Sequence, residues 1–401
     1  MTTTINNEHK KFNVPNLRFP EFQGEWEKCK LGDYGKVVTG NTPPTKDIEN
    51  YENGTYLWAS PADLGTIKSI TETKTMLSAQ GFSKTRTLPK GSVLVTCIGS
   101  TIGKTGMATK EMSTNQQINS IVVNDNNDNE FVYYAIQSAF PRYLSSIAVQ
   151  AVPIISKSAF ELLPNNRPYL QEQKKIGKFL SLLDERIATQ NKIIEDLKKL
   201  KSAIIDYVIN SLNTDFAKFG SLYEMAGEGG TPTTSNASFY DNGKIPFIKI
   251  DDLKKKYLTE NKDFITELGL QKSSAWLVPT HSILFSNGAT IGEISITTYP
   301  VCTKQGILGI VPKQNIDVEF LYYFMSSSYF KKAVSRIVTE GTMKTAYLKD
   351  INNILCPIPT KEKQQEIAKM PSALNSKIDF EQSILKLFCS QKQYLLRQMF
   401  I

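Results

Sequence analysis

Apolar residues recur at alternating steps of three and four along two stretches of the chain, residues 166–212 and 358–401. In an α-helix this spacing gathers them on one face over several heptads. Polar residues fill the remaining positions of both stretches. The pattern predicts two long amphipathic helices, one near the middle of the chain and one at its end.

The stretches before each helix, residues 26–165 and 213–357, have a different pattern. Short apolar runs such as Ser92–Val95 and Gly306–Val311 are bounded by Gly, Pro and Asn, which is typical of β-strands. A short amphipathic helix is predicted in each stretch, near Phe131–Ser138 and Phe320–Ser327. We therefore expect two strand-rich globular domains.

The chain repeats itself once. Thr231 lies 189 residues after Thr42 (231 − 42 = 189), and the same shift relates Thr101-Ile-Gly103 to Thr290-Ile-Gly292. At the two predicted helices the shift becomes 191, so that Pro168-x4-Gln173 corresponds to Pro359-x4-Gln364. A period this long indicates a duplicated domain, because solenoid repeats have periods of about 20 to 50 residues.

Polar residues interrupt the apolar face at the same heptad positions of both predicted helices. An antiparallel coiled coil in which Lys201 faces Glu381 would, by the symmetry of the repeat, also place Gln190 opposite Lys392. The alternative is two unrelated helices, each packing only on its own domain. Pro371 departs from the pattern, and we expect the second helix to begin properly only after it.

These patterns together predict a mixed α/β (α+β) fold. Two strand-rich domains are related by a pseudo-two-fold repeat and joined by two long helices that form an antiparallel coiled coil. The predicted boundaries are an N-terminal segment at 1–25, domains at 26–165 and 213–357, and helices at 166–212 and 358–401.

The charge of the chain favours polyanionic partners without proving one. There are 47 Lys and Arg against 39 Asp and Glu, a formal net charge of +8. The five cysteines are odd in number, widely spaced and lack a C-x-x-C pair, which argues against a disulfide framework. Since no apolar run is long enough to span a bilayer, we expect a cytoplasmic protein.

The sequence contains partial matches to catalytic motifs but no complete one. The turn from Gly99 to Thr105 has three residues between its glycines where a phosphate-binding P-loop has four, and Glu293 stands at the position that corresponds to Lys104. Only two histidines are present, and no Cys/His group has zinc-ligand spacing. We expect no catalytic residue and no metal site in this chain.

Basic and amide side chains are interleaved with aromatics in both globular stretches. Such side chains bind phosphates and base edges of nucleic acid, although each is individually also explained as a solvated surface residue. The candidates for DNA contact are Lys46, Arg86, Ser100, Lys104, Asn115, Gln116 and Gln117 in the first half, and Lys254, Lys255, Lys256, Asn287, Thr290, Lys304, Gln305 and Lys344 in the second.

The ordered motifs resemble the specificity subunits of type I restriction-modification systems. The resemblance covers about residues 14–401, and it rests on the opening Val14–Trp26, the Gly-Thr-Pro loops at 40–43 and 230–232, the Gly-x-Thr-Ile-Gly turns, and Pro-x4-Gln-x2-Ile at the start of each helix. Single motifs are weak, whereas their duplicated order is specific to the family.

The resemblance implies two target-recognition domains that each read one half of a split DNA sequence, with the helices as spacers. It further implies two methyltransferase subunits and restriction subunits as partners, which use S-adenosylmethionine, ATP and Mg²⁺, so that this chain needs no cofactor. Two rivals remain. A stand-alone pseudo-dimeric regulator would bind DNA without partners, and a coiled-coil protein adaptor would show little dependence on salt.

Overall fold

The computed structural model describes residues 13–65, 67–146, 153–288, 290–338 and 344–401. Residues 1–12 of the predicted N-terminal segment therefore lie outside the described residues. The chain divides into two compact units. Unit 1 runs to Asn191 and also contains Ser383–Ile401, whereas unit 2 is Lys192–Gln382.

Unit 1 contains three sheets with the strand orders β1-β11, β2-β10-β7-β8-β4 and β5-β3-β9-β6. Its strands are β1 (Glu27–Lys30), β2 (Gly35–Thr39), β3 (Tyr56–Ala59), β4 (Ser69–Ile70), β5 (Thr75–Leu77), β6 (Thr87–Leu88), β7 (Val93–Thr96), β8 (Thr105–Ala108), β9 (Met112–Thr114), β10 (Ile118–Val123) and β11 (Pro164–Arg167). Its helices are α1 (Ala79–Ser83), α2 (Asn129–Ser146), α3 (Lys157–Glu161) and the first part of α4 (Leu170–Ser211).

The central strand β7 is buried on both of its faces, which explains its continuous apolar run. Val93 and Val95 pack in the main core with α2 and the long helices, while Leu94 faces a smaller core under the second sheet. A strand that is buried on both faces has no polar alternation. The run Ser92–Val95 is thereby confirmed as a strand.

Both ends of the described chain join the core of unit 1. Arg18 forms an ion pair with the buried Glu172 of α4, with 2.7 Å between Nη2 and Oε2. The ring of Trp26 packs edge-on against Phe400, with the ring centroids 6.1 Å apart. Residues 13–25 of the N-terminal segment and the C-terminal residues are thus part of the first globular unit.

Unit 2 has the corresponding sheets, with orders β12-β21, β13-β20-β17-β18-β15 and β16-β14-β19. Its strands are β12 (Phe216–Lys218), β13 (Tyr223–Glu228), β14 (Ile245–Ile248), β15 (Tyr257–Leu258), β16 (Asp263–Ile265), β17 (Ile283–Ser286), β18 (Ile294–Thr297), β19 (Cys302–Thr303), β20 (Ile307–Pro312) and β21 (Leu355–Pro357). Its helices are α5 (Glu267–Gln271), α6 (Val318–Ser326), α7 (Ser328–Ile337), α8 (Leu348–Ile351) and the first part of α9 (Lys361–Gln398).

Unit 2 repeats the packing of unit 1. In β17, Ile283 and Phe285 face the main core, and Leu284 faces the smaller one. The duplication that the sequence predicts is therefore present in strand order and in the alternation of buried residues. The mixed α/β architecture with two strand-rich domains is confirmed.

The long helices correspond to α4, 42 residues, and α9, 38 residues. The prediction that α9 begins properly only after Pro371 was wrong, because the helix starts ten residues earlier, at Lys361. A proline removes one backbone hydrogen bond within a helix, and the buried apolar face on both sides of Pro371 offsets that loss.

Within each unit the long helices pack side by side in antiparallel directions. In unit 1 the Lys392 amine lies 2.6 Å from Asp184 Oδ1, and the Arg186 guanidinium lies over the ring of Phe388. In unit 2 the Lys201 amine donates to Asn375 Oδ1 at 2.9 Å. These two polar contacts are equivalent in the repeat, because Asn375 corresponds to Asp184 (375 − 184 = 191) and Lys392 corresponds to Lys201 (392 − 201 = 191).

The sequence predicted different partners for these lysines. It placed Glu381 opposite Lys201 and Gln190 opposite Lys392. The structure places the observed partners six residues earlier in each helix (381 − 375 = 6 and 190 − 184 = 6). Glu381 forms an ion pair with Lys377 of its own helix. A heptad pattern fixes which faces meet but permits a slide of about one heptad, so it could not select the register.

Candidate nucleic-acid interface

Three loops meet at one end of the five-stranded sheet of unit 1. The Gly-Thr-Pro loop contacts the loop between β9 and β10, because the Thr42 hydroxyl donates to Gln116 Oε1 at 2.5 Å. The glycine turn after β7 joins them through Cys97 N, which donates to Gln117 O at 2.7 Å. A fourth segment closes the turn, since Ile155 N donates to Cys97 O. We call this group of loops the three-loop edge.

Unit 2 builds the same edge. Gln305 N donates to the Thr231 hydroxyl at 3.3 Å, which links the loop between β19 and β20 to the second Gly-Thr-Pro loop. The glycine turn after β17 joins through Asn287 N, which donates to Gly306 O, and Ala346 N closes it by donating to Asn287 O. The pair Thr42 and Gln116 thus corresponds to Thr231 and Gln305.

Glycine is required where the loops of the edge approach each other. A Cβ atom on Gly40 would lie 2.2 Å from Asn115 O, and one on Gly229 would lie 2.1 Å from Thr303 O. These distances are far below a van der Waals contact. The two glycines, 189 residues apart (229 − 40 = 189), therefore allow the loops of each three-loop edge to lie in close contact.

Most of the candidate residues at the edges expose their side chains. Arg86 donates from its guanidinium to Thr39 O at 2.8 Å, and its own amide donates to Asn41 Oδ1, so it lies beside the first Gly-Thr-Pro loop. Gln117 is half-buried. Besides Arg86, the exposed candidates at or next to the loops of the edges are Lys46, Ser100, Lys104, Gln116, Thr290, Lys304, Gln305 and Lys344.

Three of the residues predicted to contact DNA are buried, so that their prediction as contact residues is corrected here. Asn115 folds its amide back on Gln117, and Asn287 lies at the end of β17, where its unit 1 counterpart is the buried Cys97. The Lys256 side chain is only 2% exposed. Side chains that are buried and bonded internally cannot reach base edges or phosphates in this structure. Lys254 and Lys255 are exposed, but they precede β15 and pair with Asp251 and Glu260.

Lys256 instead belongs to a duplicated polar contact that sequence reasoning missed. Its amine lies 2.9 Å from Glu319 Oε2 and 3.0 Å from the hydroxyl of Ser372 on α9. In unit 1 the Lys68 amine lies 2.7 Å from Glu130 Oε2 and 2.8 Å from the Ser181 hydroxyl on α4. We call each set of three residues a lysine clamp, because it fastens a globular domain to a long helix.

Exposed basic residues on α7 were also missed. Lys331, Lys332 and Arg336 expose their side chains on this helix, and Lys331 lines a cleft of about 450 Å³ together with Gly292 and Lys344. The sequence pattern ended the preceding helix near Ser327 and gave no second helix. A lysine pair at successive positions followed by Arg336 was the signal that could have found this face.

Metal-binding and cysteine chemistry can be examined in the described residues. Among these residues, no group of three or more His, Cys, Asp or Glu side chains is arranged to hold a metal ion. All five cysteines are free, and four of them are buried. Burial raises the pKa of the Cys97 thiol to about 12. In the same parts of the chain, no helix combines the length and apolar character needed to cross a membrane.

The fold and the duplicated edges define a protein built from two repeated domains, and comparison with known families agrees with this duplication. The family profile described as "Type I restriction modification DNA specificity domain" matches residues 23–199 and again residues 213–387. The chain belongs to this family of type I restriction-modification specificity proteins, and the two matches correspond to the two repeats.

Individual relatives agree along nearly the whole length. The chain is 26% identical over 382 residues to the type I restriction enzyme MjaIX specificity subunit of Methanocaldococcus jannaschii, covering 88% of each chain. It is 25% identical over 398 residues to the MjaVIII specificity subunit of the same organism, covering 91% of this chain and 89% of that one. The crystal structure of a type I system S subunit from M. genitalium shares the fold, with a TM-score of 0.58, 18% identity, and coverage of 97% of this chain and 99% of that one.

Proposed function

We propose that this chain reads an asymmetric, two-part DNA target, one part with each three-loop edge, on behalf of a type I restriction-modification complex. The observation that supports this most directly is that one loop framework is built twice. Around it the exposed side chains differ, since Lys104 in unit 1 stands where unit 2 has Glu293. Unlike side chains on a repeated framework should select unlike half-sites. The two parts of the target are therefore expected to differ in sequence.

The exposed side chains at the edges have the donors and acceptors that base readout needs. In unit 1, Arg86 can donate two hydrogen bonds to guanine, and Gln116 can pair with adenine through its amide. In unit 2 the loop between β19 and β20 carries both Lys304 and Gln305, and Gln305 corresponds to Gln116 (305 − 116 = 189). Each edge thus combines one cation with one amide, within loops that are held by backbone hydrogen bonds.

Edge variants should affect one half-site at a time. The double variant Arg86→Ala/Gln116→Ala should relax sequence preference in one half of the target. The double variant Lys304→Ala/Gln305→Ala should relax sequence preference in the other half. A lost two-bond base contact weakens discrimination by about 1 to 3 kcal/mol. The measurement is sequencing of the duplexes bound by each variant in complex with a methyltransferase subunit. Since each pair serves as the control for the other, loss of both halves by either pair would contradict the assignment.

We further propose that the long helices bind the methyltransferase subunits through an exposed apolar stripe. On α4 the stripe includes Ile193, Leu200 and Tyr207, which are seven residues apart and 40%, 48% and 75% exposed. On α9 it includes Phe380, Leu387 and Tyr394 at the same spacing, each more than half exposed. Apolar residues that keep a heptad spacing on the outside of a helix pair mark a surface for partners.

Charged substitutions in this stripe should weaken assembly without unfolding the chain. We expect Leu200→Glu with Leu387→Glu to lower the affinity for a methyltransferase subunit by about tenfold or more, because buried apolar anchors at an interface contribute roughly 2 kcal/mol each. Gln391→Glu is the matched control, since Gln391 is the exposed counterpart of Leu200 in the repeat (391 − 200 = 191). Affinity is measured by titration calorimetry. Equal affinities for the variant and the control would refute the stripe as a docking surface.

In this proposal the chemistry belongs to the partners. Two methyltransferase subunits would bind S-adenosylmethionine, restriction subunits would use ATP and Mg²⁺, and this chain would supply recognition without a cofactor or a catalytic residue. The exposed apolar stripe favours this reading over a stand-alone DNA-binding regulator, which needs no surface for partner subunits.

A further inference from the structure

The cleft beside the glycine turn of unit 2 has cationic rims and an apolar floor. Its apolar floor is formed by the half-buried Ile291 and Val338, together with the buried core residues Phe285, Phe330 and Val334. Its rims carry Lys331 from α7 and Lys344 from the segment that closes the turn. Both lysines are exposed, and the ion pairs within the described ranges involve other residues. Two amines therefore face one cleft from separate elements.

The cleft shares its walls with the three-loop edge. Ile291 and Gly292 of the glycine turn line it, and Lys344 lies two residues before Ala346, whose amide donates to Asn287 O in the edge. Gly292 has a φ of +108°, and within the described residues no atom lies within 4 Å of the position that its Cβ would occupy. A ligand can therefore approach the backbone of this turn closely.

Unit 1 has no such opening at the corresponding turn in its described part. There, a Cβ on Gly103 would lie 2.5 Å from Cδ1 of Phe140, whose ring is buried and packs against Tyr143. Phe140 is held in place because α2 runs unbroken from Asn129 to Ser146. In unit 2 the helix ends at Ser326, and Ser327 caps a new helix by accepting from Phe330 N. Tyr329, the counterpart of Phe140 (329 − 140 = 189), donates its hydroxyl to Leu355 O, and Lys331 lines the cleft.

We propose that this cleft binds one sugar-phosphate unit of the DNA backbone, which gives unit 2 a sequence-independent contact that the described residues around Gly103 in unit 1 do not repeat. Lys331 and Lys344 hold the phosphate oxygens, and the deoxyribose lies against the apolar floor. Contacts of this kind fix the register of a protein on the duplex and carry no base information. The inference rests on the proposed DNA-reading function and adds to it a division of labour between the two units.

The test compares Lys331→Ala/Lys344→Ala with wild type in the full chain bound to a methyltransferase subunit. Binding to random-sequence duplexes is measured over a series of salt concentrations. Loss of one phosphate contact should reduce the slope of log affinity against log salt by about 0.9 and weaken binding roughly tenfold, equally for specific and random sequences. The sequence motif in the bound pool should not change.

Two variants show whether charge at this place is responsible. Lys331→Arg/Lys344→Arg keeps both charges and should retain the wild-type slope. Lys218→Ala/Lys313→Ala removes two exposed lysines beside the opposite end of β20 from the edge, and it should also retain the slope. Thermal unfolding of all variants shows that the fold is kept.

The outcomes separate the two claims. A wild-type slope and affinity in Lys331→Ala/Lys344→Ala would overturn the cleft assignment, and so would a changed sequence motif, because that would mean base readout. Failure of the wild-type complex itself to select any sequence would instead remove the proposed DNA-reading function.

Discussion

Lengthening both long helices by one heptad should lengthen the gap between the two halves of the DNA target. The insertion duplicates Glu185–Asn191 in α4 and the equivalent Ser376–Gln382 in α9, which keeps the heptad pattern. Seven residues add about 10 Å of helix, and this corresponds to about three base pairs. The measurement is the motif in the duplexes bound by the lengthened chain in complex with a methyltransferase subunit.

The half-sites themselves should stay the same, because the insertion leaves the three-loop edges and the contacts of Lys201 and Lys392 within each unit untouched. Affinity should fall somewhat, since each added base pair also rotates the second half-site and twisting DNA back costs up to a few kcal/mol. Insertion in α4 alone is the control, and it should abolish the two-part motif by mismatching the helix pair. An unchanged gap after the double insertion would contradict the role of the helices as spacers.

Removing the buried amine of Lys256 should destabilise unit 2 by about 2 to 4 kcal/mol, because it leaves Glu319 without its cation. The variant is Lys256→Met, which keeps the length of the side chain. Unfolding of unit 2 can be followed by the fluorescence of Trp276 in a background with Trp26→Phe and Trp58→Phe, since the chain has three tryptophans. The measurement is the denaturant midpoint and slope.

Lys255→Met is the matched control. Lys255 is adjacent and exposed, and its partner Glu260 is exposed as well, so its loss should change stability by less than about 0.5 kcal/mol. Lys256→Met with Glu319→Gln should recover part of the loss, because no unpaired charge remains. Equal midpoints for Lys256→Met and Lys255→Met would show that the lysine clamp does not stabilise the unit.

Acid provides a second readout of the same contact. Burial raises the pKa of Glu319, but hydrogen bonds from Ser372, Tyr257 and Lys256 outweigh it and leave the pKa lowered. The stability that this carboxylate provides is therefore present above the ordinary carboxyl pKa and is lost as pH falls through the folded-state value. In Lys256→Met the folded-state pKa of Glu319 is expected to rise towards its ordinary value, so the acid-dependent loss of stability should be smaller and should end at higher pH.

The architecture was predictable from the sequence because its signals are periodic and duplicated. The run Gly306–Val311 predicted β20, and the heptads predicted α4 and α9 to within a few residues. A fixed shift between halves is a strong constraint, since each domain must satisfy the same packing. Strand order and the meeting of the loops at one edge could not be predicted, because they depend on contacts between distant residues.

The errors have a common physical origin in long-range packing. Lys256 looks like its neighbours Lys254 and Lys255 in the sequence, and only the fold brings Glu319 and Ser372 to it. The repeat could have warned against Asn287, because the corresponding position in unit 1 is the apolar Cys97. The break between α6 and α7 depends on the serine cap at Ser327 and was not visible in the hydrophobic pattern.

Whether this chain reads a two-part DNA target is measured by sequencing the duplexes that it selects from a random pool. The wild-type chain is co-expressed with a candidate methyltransferase subunit, and selection is carried out at two salt concentrations. We predict a motif of two unlike halves separated by a fixed gap, with affinity falling steeply as salt rises. A pool without enrichment, bound equally well at both salt concentrations, would contradict DNA reading and favour a protein adaptor.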